Sequence, residues 1–213
     1  MQEIQIFNEL KQGTEEWHNL RLGKITGSCF YKLLGTPAAA KKYLYQKANE
    51  IVTNAKSDSD SFNNIHVQRG LDYECIAKAE YIKSTWTIIK DVGLIQFNEY
   101  VACSPDGLVD DDGIVEIKVP DSHNYFEQVI EIFNEGEKAI PSEHYAQMQF
   151  NLYVAKRKWC DYILYNPKHT NHNDGLFVYR VNIDYAMQDR IHQVLQVSIE
   201  KLKEYIDQYL EIV

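Results

Sequence analysis

The sequence predicts an α/β fold in which a mixed central β-sheet is flanked by helices. Segments with apolar residues at helical spacing lie on both sides of segments whose side chains alternate as in strands. Their order is helices, three or four strands, two helices, two strands and a terminal helix, which is typical of α/β proteins. No interdomain linker or internal repeat interrupts the 213 residues. We therefore expect one domain that spans residues 1–213.

The first third of the sequence is predicted to be helical. Thr14 is a suitable N-cap for a helix that ends near Arg21, because two acidic residues follow it in the first turn. Gly23 begins a turn, and Ser28 is expected to cap the next short helix. The other helices predicted in this part are residues 29–34, 38–55 and 66–82.

Two strands joined by an acidic turn are predicted within residues 101–120. Gly113 follows three aspartates and would supply the positive φ that a tight hairpin needs. An acid and a lysine would share one face of the second strand. Burying a charged side chain there is costly unless it has an ion-pair partner or a functional role. The two faces are Ile114, Glu116 and Lys118, and Val115, Ile117 and Val119.

The remaining elements follow from the same patterns. Residues 86–97 alternate as strands, and Ser122 can cap a helix that runs to about residue 133. A helix over residues 142–155 is expected to have Gln147 and Gln149 on its surface. The last elements are strands at 159–165 and 176–183 and a helix at 184–209, with polar loops at 56–61 and 166–175.

Composition argues against several classes of protein. A net charge of −9 is unsuited to coating nucleic acid without specificity, although it allows an enzyme that holds DNA in a local basic groove. The four scattered cysteines argue against a zinc site and a disulfide framework, and we expect buried free thiols. No apolar run approaches the ~20 residues that cross a bilayer, and no signal peptide is evident. We therefore expect a cytoplasmic protein without a membrane partner.

Asp106, Glu116 and Lys118 have the Asp…Glu-x-Lys spacing of a metal-dependent nuclease core. Mg²⁺ prefers hard oxygen ligands and keeps several waters. The two carboxylates can hold the ion with the Ile117 carbonyl as a third ligand, while Lys118 orients the attacking water. A further carboxylate from a helix would allow two ions about 3.5–4 Å apart. The plain alternative is a surface ion pair.

Two other positions are ambiguous from the residues alone. Arg21 and Ser28 are compatible with a phosphate cradle at a helix N-terminus, and also with a solvated arginine beside an N-cap serine. Glu74 lies in the middle of a predicted helix, where a glutamate usually faces solvent.

Five ordered blocks resemble a known family. They are Glu16-Trp17-x-x-x-Arg21-x-Gly23-x-x-Thr26-Gly27-Ser28, Gly70-x-x-x-Glu74, Ser104-Pro105-Asp106-Gly107-Leu108, Glu116-Ile117-Lys118-x-Pro120 and Tyr145-x-Gln147-x-Gln149. Together they resemble the YqaJ-like viral recombinases, which have a restriction-endonuclease-like PD-(D/E)xK core, over roughly residues 10–182. Two departures are Gly27, where the family commonly has alanine, and His123, where some members offer a further arginine.

The resemblance implies a 5′→3′ exonuclease that digests one strand of duplex DNA and leaves 3′ overhangs for recombination by annealing. The implied cofactor is Mg²⁺, two ions in number, with Mn²⁺ as a substitute. The implied metal ligands are Glu74, Asp106, Glu116 and the Ile117 carbonyl; the catalytic residues are Asp106, Glu116, Lys118 and Gln147; and the phosphate-binding residues are Arg21, Ser28 and Ser104.

The resemblance also implies partners and a setting. The substrate would be double-stranded DNA ends, with a 5′ phosphate preferred, and the protein would form a homotrimeric ring. A single-strand annealing protein would be its partner in a bacterial or phage-infected cell. Two alternatives stay open, namely an endonuclease or repair nuclease with the same core, and a non-catalytic DNA-binding scaffold.

Overall fold

The computed structural model describes the backbone of residues 4–56, 65–168 and 175–213, and the side chains of these residues except 65–72. The helices are α1 (Glu15–Arg21), α2 (Gly27–Leu34), α3 (Pro37–Thr53), α4 (Ile65–Thr85), α5 (Ser122–Glu135), α6 (Ser142–Ala155) and α7 (Tyr185–Ile212), with a 3-10 turn at Gly136–Ala139. The strands are β1 (Gln5–Phe7), β2 (Ile25–Thr26), β3 (Ile89–Lys90), β4 (Leu94–Asn98), β5 (Val101–Cys103), β6 (Gly107–Val109), β7 (Gly113–Lys118), β8 (Trp159–Tyr165) and β9 (Leu176–Asn182). The polar loops predicted at 56–61 and 166–175 fall largely on residues 57–64 and 169–174, outside the described residues.

The strands form two mixed sheets, where we expected a single central one. The first has the order β1-β4-β5-β2, with β2 parallel to β5. The second has the order β3-β6-β7-β8-β9, with β7 parallel to β8. The chain passes from the first sheet to the second through residues 104–106, where Pro105 lacks the N–H that a continuing ladder would use. The α/β class itself is confirmed, since helices pack against both sheets.

Strand β7 separates two hydrophobic clusters. Ile114 belongs to the larger cluster, which also includes buried residues of α2, α6 and α7. Val115 and Ile117 belong to the smaller cluster, together with Ala77 and Tyr81 of α4. The predicted alternation of β7 side chains between two faces is therefore confirmed.

The hairpin between β6 and β7 is present, but Gly113 is not its positive-φ residue. That conformation belongs to Asp110, with φ of 46°. Gly113 pairs with Val109 as the first residue of β7, and a Cβ there would lie 2.2 Å from the Trp159 ring. Close packing against Trp159 is thus the reason for glycine at position 113, and the prediction from turn chemistry is wrong.

The N-caps predicted from the sequence are confirmed only in part. Thr14 accepts a hydrogen bond from the Trp17 backbone at 3.3 Å, so the predicted cap of α1 is confirmed. The predicted cap of α5 is wrong, because Asp121 takes the place of Ser122 and accepts from two backbone N–H groups. Helix α2 starts earlier than expected, with Thr26 at its N-cap position.

The predicted bounds of α6 are confirmed, whereas the surface position of Gln149 is wrong. Gln149 has 0% exposure. Its amide donates to the Asn182 carbonyl at 2.8 Å and accepts from the Asp184 backbone N–H at 3.0 Å. Gln149 is therefore buried because it joins α6 to the start of α7.

None of the described helices combines the length and apolarity that a membrane span requires. The four cysteines are free thiols, of which Cys103 and Cys160 are buried and Cys75 is exposed. The expectation of buried thiols is therefore wrong for Cys75.

Candidate active site

One open cleft of about 280 Å³ is lined by all nine residues that were predicted for the site. Those residues are Arg21, Ser28, Glu74, Ser104, Asp106, Glu116, Ile117, Lys118 and Gln147. They come from α1, α2, α4, β7, α6 and the crossing between the two sheets. The cleft is also lined by four residues that were not predicted for it, namely Gln12, Trp17, Gly27 and Asn151.

Asp106 is fixed to β7 by hydrogen bonds. Its backbone N–H donates to the Val115 carbonyl at 3.1 Å, which extends the pairing of β6 with β7 by one residue. Its carboxylate accepts from the Ile117 N–H at 2.6 Å. Burial raises the pKa of Asp106 well above its ordinary value, and the negative charges of Glu116 and Glu74 raise it further.

Glu116 is a buried carboxylate, with 2% exposure, that accepts three side-chain hydrogen bonds. Its Oε1 accepts from Lys118 Nζ at 2.8 Å and from Gln147 Nε2 at 2.6 Å. Its Oε2 accepts from Asn151 Nδ2 at 3.2 Å. These donors offset the cost of burying the charge, because each of them favours the ionised carboxylate.

Lys118 lies between Glu116 and Gln147. Its ammonium also donates to Gln147 Oε1 at 3.2 Å. Burial lowers the pKa of Lys118, but the charges of Glu116 and Asp106 raise it by more, so the pKa is raised overall. Lys118 is therefore held as a cation at the floor of the cleft.

Glu74 reaches the cleft from α4. Its carboxylate is paired with Lys78 at 2.9 Å. Ala77 and Tyr81 lie on the same side of the helix at i+3 and i+7, and both are buried. Tyr81 Oη donates to Asp161 Oδ2 on β8 at 2.6 Å. Packing of α4 against the second sheet thus turns a mid-helix glutamate toward the site.

A further group of contacts surrounds Ser104 in the same cleft. Arg21 Nη1 and Trp17 Nε1 both donate to Ser104 Oγ, at 3.0 and 3.1 Å. The Arg21 guanidinium lies over the Trp17 ring, 4.1 Å from its centre. Burial lowers the pKa of Arg21. Arg21 forms no ion pair among the described residues, so it has charge available for an anion.

Ser28 also lines the cleft, but it does not cap a helix. It is an exposed residue in the first turn of α2, after Gly27. Its hydroxyl is accordingly open to the cleft rather than committed to the helix end that we had assigned to it.

The oxygen atoms of the cleft suit a hard divalent cation. Glu74, Asp106 and Glu116 supply carboxylates, and Ile117 has a backbone carbonyl. The raised pKa of Asp106 reflects burial first and then the negative charges of Glu116 and Glu74, and a cation would neutralise those charges. Within the part of the chain that the structure describes, no three His, Cys, Asp or Glu side chains form a metal site by themselves. Mg²⁺ prefers hard oxygen ligands and keeps several waters, so a set of carboxylates and one carbonyl in an open cleft fits that ion.

Gln12 was missed because it precedes the first predicted helix and belongs to no periodic pattern. Its Nε2 donates to the carbonyls of Val92 and Pro105 at 2.9 and 3.0 Å. Gln12 therefore fixes the crossing that contains Ser104 and Asp106. Asn151 could have been found, because it lies one helical turn after Gln147 on α6.

Comparisons with known proteins identify the family and related folds. The family model for the YqaJ-like viral recombinase domain matches residues 16–158. The alkaline exonuclease LHK-Exo from Laribacter hongkongensis has 30% sequence identity and a TM-score of 0.80, over 93% of this chain and 96% of that chain. Its crystal structure in complex with dAMP gives the same values. A phage-related exonuclease from Haemophilus somnus 129PT has 16% identity and a TM-score of 0.63, over 89% of this chain and 96% of that chain, and supports the fold alone. No curated protein matches the chain.

Proposed function

Because the chain belongs to the YqaJ-like viral recombinase family, we propose that it is a Mg²⁺-dependent 5′→3′ exonuclease acting on double-stranded DNA. It would digest the 5′-ended strand from DNA ends and leave 3′ overhangs for annealing-based recombination. The observation that best supports this proposal is the meeting of Asp106, Glu116 and Lys118 with Arg21 and Ser104 in one cleft. LHK-Exo, at 30% identity over nearly the whole chain, is itself an alkaline exonuclease.

The carboxylates of the cleft would hold the metal. Glu74, Asp106, Glu116 and the Ile117 carbonyl are the proposed ligands, for two Mg²⁺ ions with Mn²⁺ as a substitute. When bound, the metal would lower the pKa of water and neutralise charge that develops on the scissile phosphate.

Lys118 and Gln147 would act on the attacking water. Lys118 stays protonated because Glu116 and Asp106 raise its pKa, so its ammonium donates hydrogen bonds and orients the water. Gln147 bonds both Lys118 and Glu116 and would keep the two groups at a fixed separation. A small displacement of either group would be costly in rate, because catalysis depends on orientation.

Arg21, Ser28 and Ser104 would bind phosphate, including the 5′-terminal phosphate of the substrate. Arg21 has no carboxylate partner in the described part of the chain, the Ser104 hydroxyl accepts a hydrogen bond from it, and Ser28 lines the same cleft. A guanidinium with neighbouring hydroxyls suits a phosphate group, because its N–H groups form charge-assisted hydrogen bonds to oxygen. His123, an exposed residue in the first turn of α5, is a further candidate contact.

Membership of the family supports proposals about assembly. The protein would form a homotrimeric ring around duplex DNA and act together with a single-strand annealing protein. One domain over residues 1–213 and a cytoplasmic setting in a bacterial or phage-infected cell also stay predictions. Light scattering at micromolar concentration tests the trimer, and a monomer there would contradict it.

The function is tested by a time course on duplex DNA that is labelled at one 5′ or one 3′ end. In Mg²⁺ we expect the 5′ label to be released as a mononucleotide at once, whereas the 3′ label should stay on strands that become shorter with time. Addition of EDTA should stop digestion. Internal cuts in a circular duplex would favour an endonuclease, and binding without cleavage would favour a scaffold.

A further inference from the structure

We infer that Asn151 is a positioning residue for Glu116, and that glycine at position 27 is required to make room for it. This inference deepens the proposed function and rests on it, because Glu116 is there a metal ligand. Neither residue was assigned a role by the sequence patterns, and both line the cleft.

Asn151 is buried and its amide has one defined orientation. The side chain has 1% exposure. Nδ2 donates to Glu116 Oε2 at 3.2 Å, whereas Oδ1 is a buried acceptor without a partner among the described residues. Rotating the amide by 180° would place Oδ1 against a carboxylate oxygen and so replace attraction with repulsion. The unpaired oxygen is thus the consequence of keeping the N–H groups on Glu116.

Glycine at position 27 is explained by space and not by backbone conformation. Its φ lies outside the left-handed region, so an L-residue could adopt the same backbone. A Cβ at position 27, however, would lie 2.3 Å from Asn151 Oδ1 and 3.2 Å from Asn151 Cγ. The Asn151 amide therefore occupies the space that an alanine methyl would need. Gly27 and Asn151 therefore form a matched pair in this protein.

The hydrogen bond to Asn151 decides how Glu116 presents its oxygens. A carboxylate has roughly four lone-pair sites. Lys118 and Gln147 engage two of them on Oε1, and Asn151 engages one on Oε2. Oε2 thus keeps a site for a cation, and the Asn151 bond prevents the carboxylate from rotating away from it. Partners that orient a ligand in this way typically change metal affinity by about 10- to 100-fold when they are removed.

The test uses two variants that separate the hydrogen bond from the packing. Asn151→Leu keeps a side chain of similar shape but lacks the donor. We expect its Mn²⁺ dissociation constant, measured by calorimetry without DNA, to rise about 10- to 100-fold. Its KM for duplex DNA should stay unchanged, because Arg21 and Ser104 are intact. Gln149→Leu is the control, since Gln149 is buried on the same helix outside the cleft; it should lower the melting temperature and leave Mn²⁺ affinity as in the wild type.

The steric pair is tested by Gly27→Ala and by the double variant Gly27→Ala/Asn151→Ala. The single variant should lower the melting temperature, because the new methyl displaces the amide. The double variant should recover most of that loss, yet it should bind Mn²⁺ as weakly as Asn151→Leu.

The positioning role, the steric pairing and the proposed function can each be overturned separately. Wild-type Mn²⁺ affinity in Asn151→Leu would overturn the positioning role. A melting temperature of Gly27→Ala equal to that of the wild type, or no recovery in the double variant, would overturn the steric pairing. Failure of the wild-type protein to bind Mn²⁺ or to cleave DNA would instead overturn the proposed function, while the melting temperatures would still decide the pairing.

Discussion

The carboxylate of Asp106 accepts a hydrogen bond from the backbone N–H of Ile117 at 2.6 Å. Ile117 lies between Glu116 and Lys118 on β7, so this bond fixes the first acid of the motif beside the other two charged groups. The Asp…Glu-x-Lys spacing therefore has a structural meaning: a short hairpin returns the chain so that three separate charges share one end of a strand.

The charge of Lys118 is needed at the floor of the cleft. We expect Lys118→Met to slow digestion of duplex DNA by about 100- to 10,000-fold, because the variant cannot orient the attacking water. DNA binding in gel shift should persist. Lys158→Met is a matched control, since Lys158 is an exposed lysine that pairs with Asp112 in the neighbouring hairpin turn. Equal rates for the two variants would show that Lys118 has no special role.

Arg21 is predicted to recognise the 5′ phosphate. Loss of its charge-assisted hydrogen bonds in Arg21→Ala should reduce the preference for 5′-phosphorylated over 5′-hydroxyl ends by about 10- to 100-fold. The measurement is the ratio of initial rates on the two duplexes. Arg190→Ala, a change at an exposed residue of α7, provides the control. A variant at position 21 that discriminates as well as the parent would remove Arg21 from the phosphate pocket.

His144 should make the fold sensitive to mild acid. Burial and the charge of Lys118 lower the pKa of His144 to about 4, and its ring bonds Tyr162 Oη at 2.7 Å. The unfolded chain takes up this proton near pH 6.5 and the folded chain only near 4, so stability is lost as pH falls through that window.

Chemical denaturation of the wild type and His144→Gln measures this effect. The wild type should lose about 3 kcal/mol more free energy of unfolding than the variant between pH 7 and pH 4. All other groups titrate in both proteins, so the difference isolates His144. Parallel pH curves for the two proteins would contradict the assignment.

Sequence patterns predicted the structure correctly where it depends on contacts between residues close in the sequence. Alternation along β7 placed Glu116 and Lys118 on one face, and both line the cleft. The bounds of α6 followed from its apolar spacing because each turn packs on the same core. The sequence thus predicted the central strand of the site and the helix above it.

The predictions that were wrong depend on contacts between distant residues. Gly113 is glycine because of Trp159, and Gln149 is buried because of Asn182 and Asp184. The sequences of the β6–β7 hairpin and of α6 do not indicate that these distant residues are their partners. The segment that connects the two sheets likewise has a distant partner, because Gln12 donates a hydrogen bond to the Pro105 carbonyl. Composition and periodicity do not reveal contacts between residues that are far apart in the sequence.

The most direct test of the nuclease assignment is Asp106→Asn on end-labelled duplex DNA in Mg²⁺. The asparagine oxygen can still accept the Ile117 hydrogen bond, so circular dichroism and melting temperature should stay close to those of the wild type. Loss of one carboxylate from the proposed metal site should lower the rate of 5′→3′ digestion by about 1,000-fold. Digestion by folded Asp106→Asn at the wild-type rate would contradict the proposed active site.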